Sequence, residues 1–411
     1  MADSVLIIAF HFPPIQGSSG FLRTLKFARY LPEFGIAPTV LTVSPRVYGA
    51  VDGRMLAQIP AGVEVKRSFA LDTKRDLGFR GRYPGFLGLP DRYATWIPTG
   101  AFDGIHLMRR KRIGAIFSTY PIPSAHVIAG LVARATGKPW IADFRDPMWD
   151  PFIPFESGAE KRARMIIEKS AVARARKVTV VTDSMKTLFG ARYPSLPADR
   201  IEVIANGFDE ADFAALPAPG PRAAGPLVLL HAGLLEREDR DPAPFFRALA
   251  ALKAKGRIDA DRLRVRLIAP GDIEGFAREA AGLGLEGMVS VEKGMPYAEA
   301  LRAMAASDIL LLFQGPSCDT QIPAKVYEYL RVGKPILALA TREGETGRLV
   351  EAARSGRVLP MLDSDAIAAG LEEWLDAAEA GKALPTASAE TVKAFSRRSQ
   401  AGQLAGLIRG L

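Results

Sequence analysis

The sequence predicts an α/β fold of two doubly wound, Rossmann-like parallel-sheet domains, on three observations. At 411 residues the chain exceeds the roughly 250–300 at which a single core stops growing, so two domains are expected. Apolar runs of strand length alternate with stretches of helical periodicity, and the alternation starts afresh in the second half. Between the two series lies "LPAPGPRAAGP", a proline and glycine stretch that reads as a linker. The expected layout is a first domain at 1–215, a linker at 216–225 and a second domain at 226–387.

In the first half, "SVLIIAF" is apolar throughout, as a strand covered on both faces must be, and "FLRTLKFARYLPEF" after it has helical spacing. "PTVLTV", "AIFSTY", "PWIADFR", "KVTVVT" and "IEVIAN" are the further strands, and helices between them include Ile122 to Arg134 and Ala159 to Ala175. Residues 44–98, rich in proline, glycine and aromatics, yield no assignment. Past the linker the strands are "LVLLHAG", "VRLIAP", "VSVEKG", "ILLLFQ" and "PILALA". Helices are expected near Pro242 to Lys253, Ile273 to Ala281, Tyr297 to Ala305, Ala324 to Val332 and Thr346 to Ala353. The stretch 388–411 reads as one more helix, with Phe395, Leu404 and Leu407 as its apolar points.

The net charge of +9 is lopsided: 29 basic residues stand against 20 acidic ones through Ala215, and the remainder balances. Its clusters are "RRKR" (Arg109 to Arg112), "KRAR" (Lys161 to Arg164) and "RARK" (Arg174 to Lys177). Solvated helix faces explain such clusters in the plainest reading. An anionic membrane surface or an anionic acceptor meeting the first domain is the sharper one. No nucleic-acid partner is expected, because zinc spacing, a recognition-helix pattern and an RNP-like motif are all missing. "MADSVLIIAF" has no basic leader, and no apolar run approaches ~18 residues. The single cysteine, Cys318, excludes a disulfide framework and a cysteine-rich metal site. The expectation is a cytoplasmic protein, peripheral at the inner membrane face if the basic clusters gather on one surface.

In open parallel sheets ligands bind beyond the carboxyl ends of strands, so a cleft lined by such ends is the default site. After the first strand comes "FHFPPIQGSSGFLRT", where Gly17 and Gly20, with Ser18 and Ser19 between them, let a loop turn tightly against a ligand. It is not G-x-G-x-x-G, and a plain strand-to-helix turn fits it equally well. "IADFRDPMWD" groups Asp143, Arg145 and Asp146; an ion pair fastening the loop competes with a substrate site. In "HAGLLEREDRDPAPFF", Arg240 lies just before a proline-started helix, where an arginine can hold phosphate. In "IPAKVYEYLRVGKP", Pro323 is placed to begin a helix, which leaves Lys325 in the first turn against the dipole. Glu328 shares its face, so a simple surface pair competes with a diphosphate over the helix tip.

Together "PPIQGSSG", "VIANGFDEADF", "GLLEREDRDP" and "IPAKVYEYLRVGKPILA" resemble glycosyltransferase family 4, the retaining GT-B enzymes that use sugar nucleotides. The resemblance covers nearly the whole chain. It implies two Rossmann-like domains facing across a cleft, the first binding acceptor and the second the nucleotide sugar, with the C-terminal helix crossing back to the first. Glu328 matches the second glutamate of the family's Glu-x7-Glu motif, which holds the ribose, while Thr320 stands where the first would be. Arg240 matches the basic residue on the diphosphate. The arginine often found after the turn glycine, Gly233, is Leu234 here, so Lys325 supplies the second cation. Gly271 and Met295 fall where relatives line the diphosphate and base, largely through backbone, and Ile322 is a further donor-binding candidate. Arg145 takes the place of a common histidine near the transferred sugar. Gly17, Ser18, Ser19, Gly20 and His126 are the acceptor or sugar candidates.

The implied reaction passes a sugar from a nucleoside diphosphate to a hydroxyl with retention. Arg240 and Lys325 then steady the leaving diphosphate, and Asp143, Arg145 and Asp146 flank the sugar or acceptor. The nucleotide sugar is a co-substrate; no other cofactor and no metal is expected. "DRD" (Asp239 to Asp241) reads as a turn and "DSD" (Asp363 to Asp365) as a helix cap. The acceptor class is a glycan or lipid-linked precursor of a surface polysaccharide. A sugar-nucleotide epimerase of the same fold and a silent nucleotide-sugar binder remain as alternatives, the missing first glutamate favouring the latter.

Overall fold

A computed structural model describes residues 3–16, 20–78, 83–150, 153, 155, 157–217 and 225–411. The chain divides into two units, Met1–Ala205 with Arg397–Leu411, and Asn206–Ser396.

The first unit is built on a seven-stranded sheet, all parallel, in the order β3-β2-β1-β4-β5-β6-β7. Its strands are β1 (Ser4–Ile8), β2 (Ala37–Val43), β3 (Glu64–Ser68), β4 (Ala115–Thr119), β5 (Trp140–Asp143), β6 (Lys177–Val180) and β7 (Ile201–Val203). Helices cover both faces, and Val5, Leu6, Ile7 and Ile8 in the middle of the sheet have no exposed surface. The order reverses at β1, which pairs β2 on one side and β4 on the other, so the crevice past their carboxyl ends is this sheet's ligand position. The unassigned region 44–98 holds β3 as an edge strand, followed by short turns of helix.

The second unit has a six-stranded parallel sheet in the order β10-β9-β8-β11-β12-β13. Here the strands are β8 (Leu227–Ala232), β9 (Leu263–Ile268), β10 (Val289–Glu292), β11 (Ile309–Gln314), β12 (Ile336–Ala340) and β13 (Gly356–Leu359). The reversal falls at β8, between β9 and β11.

The "NGFDEADF" segment belongs to the second unit, docked on helix Ala324–Val332. Arg331 Nε bonds Glu210 Oε2 at 2.7 Å and its guanidinium lies 5.2 Å from the Phe213 ring centre. The unit boundary at Ala205 therefore precedes the expected 215. The C-terminal stretch is two helices rather than one. Ala389–Ala394, capped by Ser388, stays with the second unit, and Arg397–Arg409 packs on helix Gly20–Tyr30 of the first. Among the described residues no helix is long and apolar enough to cross a membrane.

Candidate active site

In the second unit the loops beyond β8, β9, β10, β11 and β12 interlock. Gly233 N donates to Ile268 O at 3.0 Å, and Leu235 N to Pro270 O at 3.0 Å. Gly271 has φ +96°, a left-handed conformation that favours glycine, and it turns the β9 loop beside Leu234 of the β8 loop. Gly315 is tightly placed: its N–H donates to Asp239 O at 2.6 Å, and a Cβ would meet that oxygen at 2.4 Å. Ser317 Oγ also donates to the Asp239 carboxylate. Asp241 Oδ1 accepts from Ala243 N at the next helix start, so "DRD" is a turn strapped to the β11 loop. Asp363 accepts from Asp365 N and Ala366 N, which makes "DSD" a helix cap.

Helix Ala324–Val332 starts one residue later than Pro323, which is its N-cap, and Gly333 at φ 75° ends it. Its first turn has no acidic residue and no side-chain cap. Lys325 Nζ bonds Glu328 Oε2 at 2.7 Å and sits 5.6 Å from the ring centre of Tyr297, whose hydroxyl donates to Glu328 Oε1 at 3.1 Å. Burial and the Glu328 charge push the Tyr297 phenol up. His231, near the end of β8, is buried. Its Nδ1 lies 3.0 Å from Leu311 O, and burial, with Arg240 and Lys325 adding, lowers its pKa to about 4. Arg240, Met295 and Ile322 are half-buried, and Thr320 is exposed. Cys318 is a buried free thiol, raised by burial.

The first unit corrects two expectations. Asp143 ends β5 with no exposed surface and is filled by four hydrogen bonds: from Arg23 Nη2 (2.8 Å) and Nε (3.1 Å), Thr119 Oγ1 (2.7 Å) and Thr179 Oγ1 (2.7 Å). Burial alone would raise its carboxyl, but the Arg23 charge and these bonds hold it below the usual range. Arg23 also donates to Ile204 O and Ala205 O, both at 2.9 Å. Asp143 is thus a brace joining β5, the end of β7 and helix Gly20–Tyr30, not a substrate contact. The ion pair that fastens this loop uses Arg23 rather than Arg145.

His126 is likewise a core residue. Trp140 Nε1 donates to Ser118 Oγ at 2.8 Å, and the same hydroxyl is hydrogen-bonded to His126 Nδ1 at 2.7 Å. Its ring packs 4.7 Å from that of Phe144, and burial lowers its pKa to about 3. Arg145 Nη1 donates to Gly20 O at 2.9 Å, Gly20 begins its helix, and Asp146 is exposed. Gly17, Ser18 and Ser19 lie outside the described residues.

Sequence reasoning missed Arg23 and Tyr297. Arg23 could have been found as the arginine four residues before Phe27 on a helix face that is otherwise core, and the two stack at 5.0 Å. Tyr297 follows Met295 and Pro296 directly, but only the fold brings it to Glu328. Among the described residues no group of three or more His, Cys, Asp and Glu side chains is placed to hold a metal.

Residues 22–207 match the family described as a glycosyl transferase 4-like domain. No curated protein matches the chain. Among solved structures, HepE of Anabaena, in complex with UDP and glucose, superimposes at TM-score 0.65 with 16% identity, over 99% of this chain and 100% of that one. Sucrose-phosphate synthase of Thermosynechococcus elongatus gives 0.65 and 15%, over 99% and 98%. The UDP-GlcNAc 2-epimerase of Neisseria meningitidis, bound to UDP-GlcNAc, gives 0.55 and 13%, also over 99% and 98%. At these identities the likeness is one of fold, and it agrees with the two parallel sheets: residues 22–207 form a glycosyl transferase 4-like domain, in a chain with the two-domain GT-B fold.

Proposed function

We propose that the chain is a retaining, metal-independent transferase that passes a hexose or related sugar from a nucleoside diphosphate to an acceptor hydroxyl. The observation that carries this reading is Lys325 in the uncapped first turn of helix Ala324–Val332, beside Glu328 and Tyr297, in the unit whose strand order reverses at β8. As the bond from the anomeric carbon to the diphosphate breaks, charge grows on the departing oxygen. Two cations, Arg240 and Lys325, and an uncapped helix start are suited to stabilise it. The acceptor oxygen bonds the same face of the anomeric carbon and gives its proton to the leaving phosphate, so no protein nucleophile is needed. Glu328 turns from Lys325 and Tyr297 to the ribose hydroxyls, and Gly233, Gly271, Met295, Thr320 and Ile322 line the donor. Gly17, Ser18, Ser19 and Gly20 border the acceptor. HepE was solved with UDP and glucose, which makes UDP-sugars the first donors to test.

A lipid-linked or surface-polysaccharide precursor is the proposed acceptor, met at an anionic membrane face. The split of "RRKR" supports this: Arg110 and Lys111 pair with Glu64 at 2.7 and 2.5 Å, whereas Arg109 and Arg112 line a recess of about 390 Å³ with Lys138. These three carry no ion pair among the described residues. Incubation with labelled UDP-glucose and membranes tests the function. Label in a lipid or polymer fraction is expected; a free epimer without acceptor indicates the epimerase reading, and binding without turnover the silent one.

A further inference from the structure

At the carboxyl end of the first sheet two guanidinium groups feel the charge of one carboxylate, Asp143. Arg23 uses it completely, since Asp143 is filled by Arg23, Thr119 and Thr179. Arg145, two residues on, is left among the described residues with one hydrogen bond, from Nη1 to Gly20 O, and its Nε is buried without a partner among them. The nearest free acid, Asp146, is exposed and makes no ion pair with it among the described residues. His11, at the end of β1, adds a second orphan: its Nδ1 is buried and unpartnered. Burial and then the Arg145 charge hold the imidazole neutral, with its pKa lowered to about 4, so it adds no second positive charge there. Burial and the repulsion of Arg23 depress Arg145 itself, and the Asp143 and Asp146 charges offset this only in part. A half-buried cation with an unused Nε–Nη2 edge is costly unless an anion completes it, and that edge matches the two oxygens of a carboxylate or phosphate.

We propose that Arg145 receives an anionic group of the acceptor, a carboxylate or a phosphate, in the crevice where the strand order reverses at β1. This rests on the transferase reading, which already gives the donor diphosphate two cations, Arg240 and Lys325, in the other unit. The acceptor is then an acidic or phosphorylated glycan rather than a neutral one.

Saturation-transfer NMR on the full chain, saturated with UDP, provides the test, with glucuronate, glucose 1-phosphate and neutral glucose as probes. At least one anionic probe should bind better than glucose, and whichever leads names the acid. Arg145→Gln should weaken that probe by about tenfold or more while UDP affinity stays within about twofold. Should Arg145→Gln fail to fold, Arg145→Met, which keeps the apolar bulk, decides the same question. Equal binding of all three probes, anion binding that survives loss of the guanidinium, or a loss confined to UDP overturns the proposal. A chain that never binds UDP yet holds the anion through Arg145 sinks the transferase reading and leaves this site standing.

Discussion

Arg23 Nη2 stands 2.8 Å from Asp143 Oδ1, and the two side chains are 1% and 0% exposed. Removing one partner of a sealed pair leaves an uncompensated buried charge, at a cost of about 3–5 kcal/mol. Arg23→Ala should therefore lower first-unit stability by that amount in urea melts. Asp143→Asn should cost a similar amount, because the amide donates where Thr119 and Thr179 also donate.

A close approach that tolerates only glycine makes a second prediction. Gly315→Ala sets a methyl 2.4 Å from Asp239 O, a backbone atom in the turn that carries Arg240. A loss of about 1–3 kcal/mol is expected, as for other overpacked sites, and UDP affinity should fall with it as the turn moves. Unchanged calorimetric affinity would separate the turn from donor binding.

Acid should weaken the protein before its carboxylates titrate. Burial chiefly holds His126 near a pKa of about 3, and His11 and His231 near about 4, against 6.5 for each when unfolded. Below pH 6.5 the unfolded chain thus binds more protons than the folded one. Stability is complete above 6.5 and declines as pH drops from there toward 4, by about 1.4 kcal/mol per pH unit for each imidazole. Urea melts from pH 7.5 to 4.5 check this, and His126→Gln should flatten the slope in the first unit.

If the recess of Arg109, Arg112 and Lys138 meets lipid, charge reversal of all three should release the chain from phosphatidylglycerol vesicles. About 1 kcal/mol per basic residue is expected, and the effect should fade at high salt. Reversal at the already paired Arg110 should change binding little.

Strands sealed on both faces were legible, since "SVLIIAF" and "ILLLFQ" can sit nowhere but inside a sheet. β3 escaped notice because "EVKRS" is an edge strand rich in charge, and β13 because "GRVL" is short and half-covered. Donor-side candidates were readable where chemistry is local, as with Lys325 and Glu328 on one helix face. The first-unit candidates were not, because Asp143 is answered by Arg23, 120 residues away, and His126 by Ser118 and the rings behind it. The sequence pattern marks a polar group at a strand end; only the fold says whether another side chain or a ligand satisfies it.

The account stands on Lys325 and Arg240 holding a diphosphate, and titration calorimetry of UDP against UMP measures that directly. Lys325→Ala and Arg240→Ala should each weaken UDP by about tenfold or more and leave UMP within about twofold, because each removes a charge-assisted contact to the terminal phosphate. UDP bound equally well by Lys325→Ala would contradict it, leaving that lysine as half of a surface pair with Glu328.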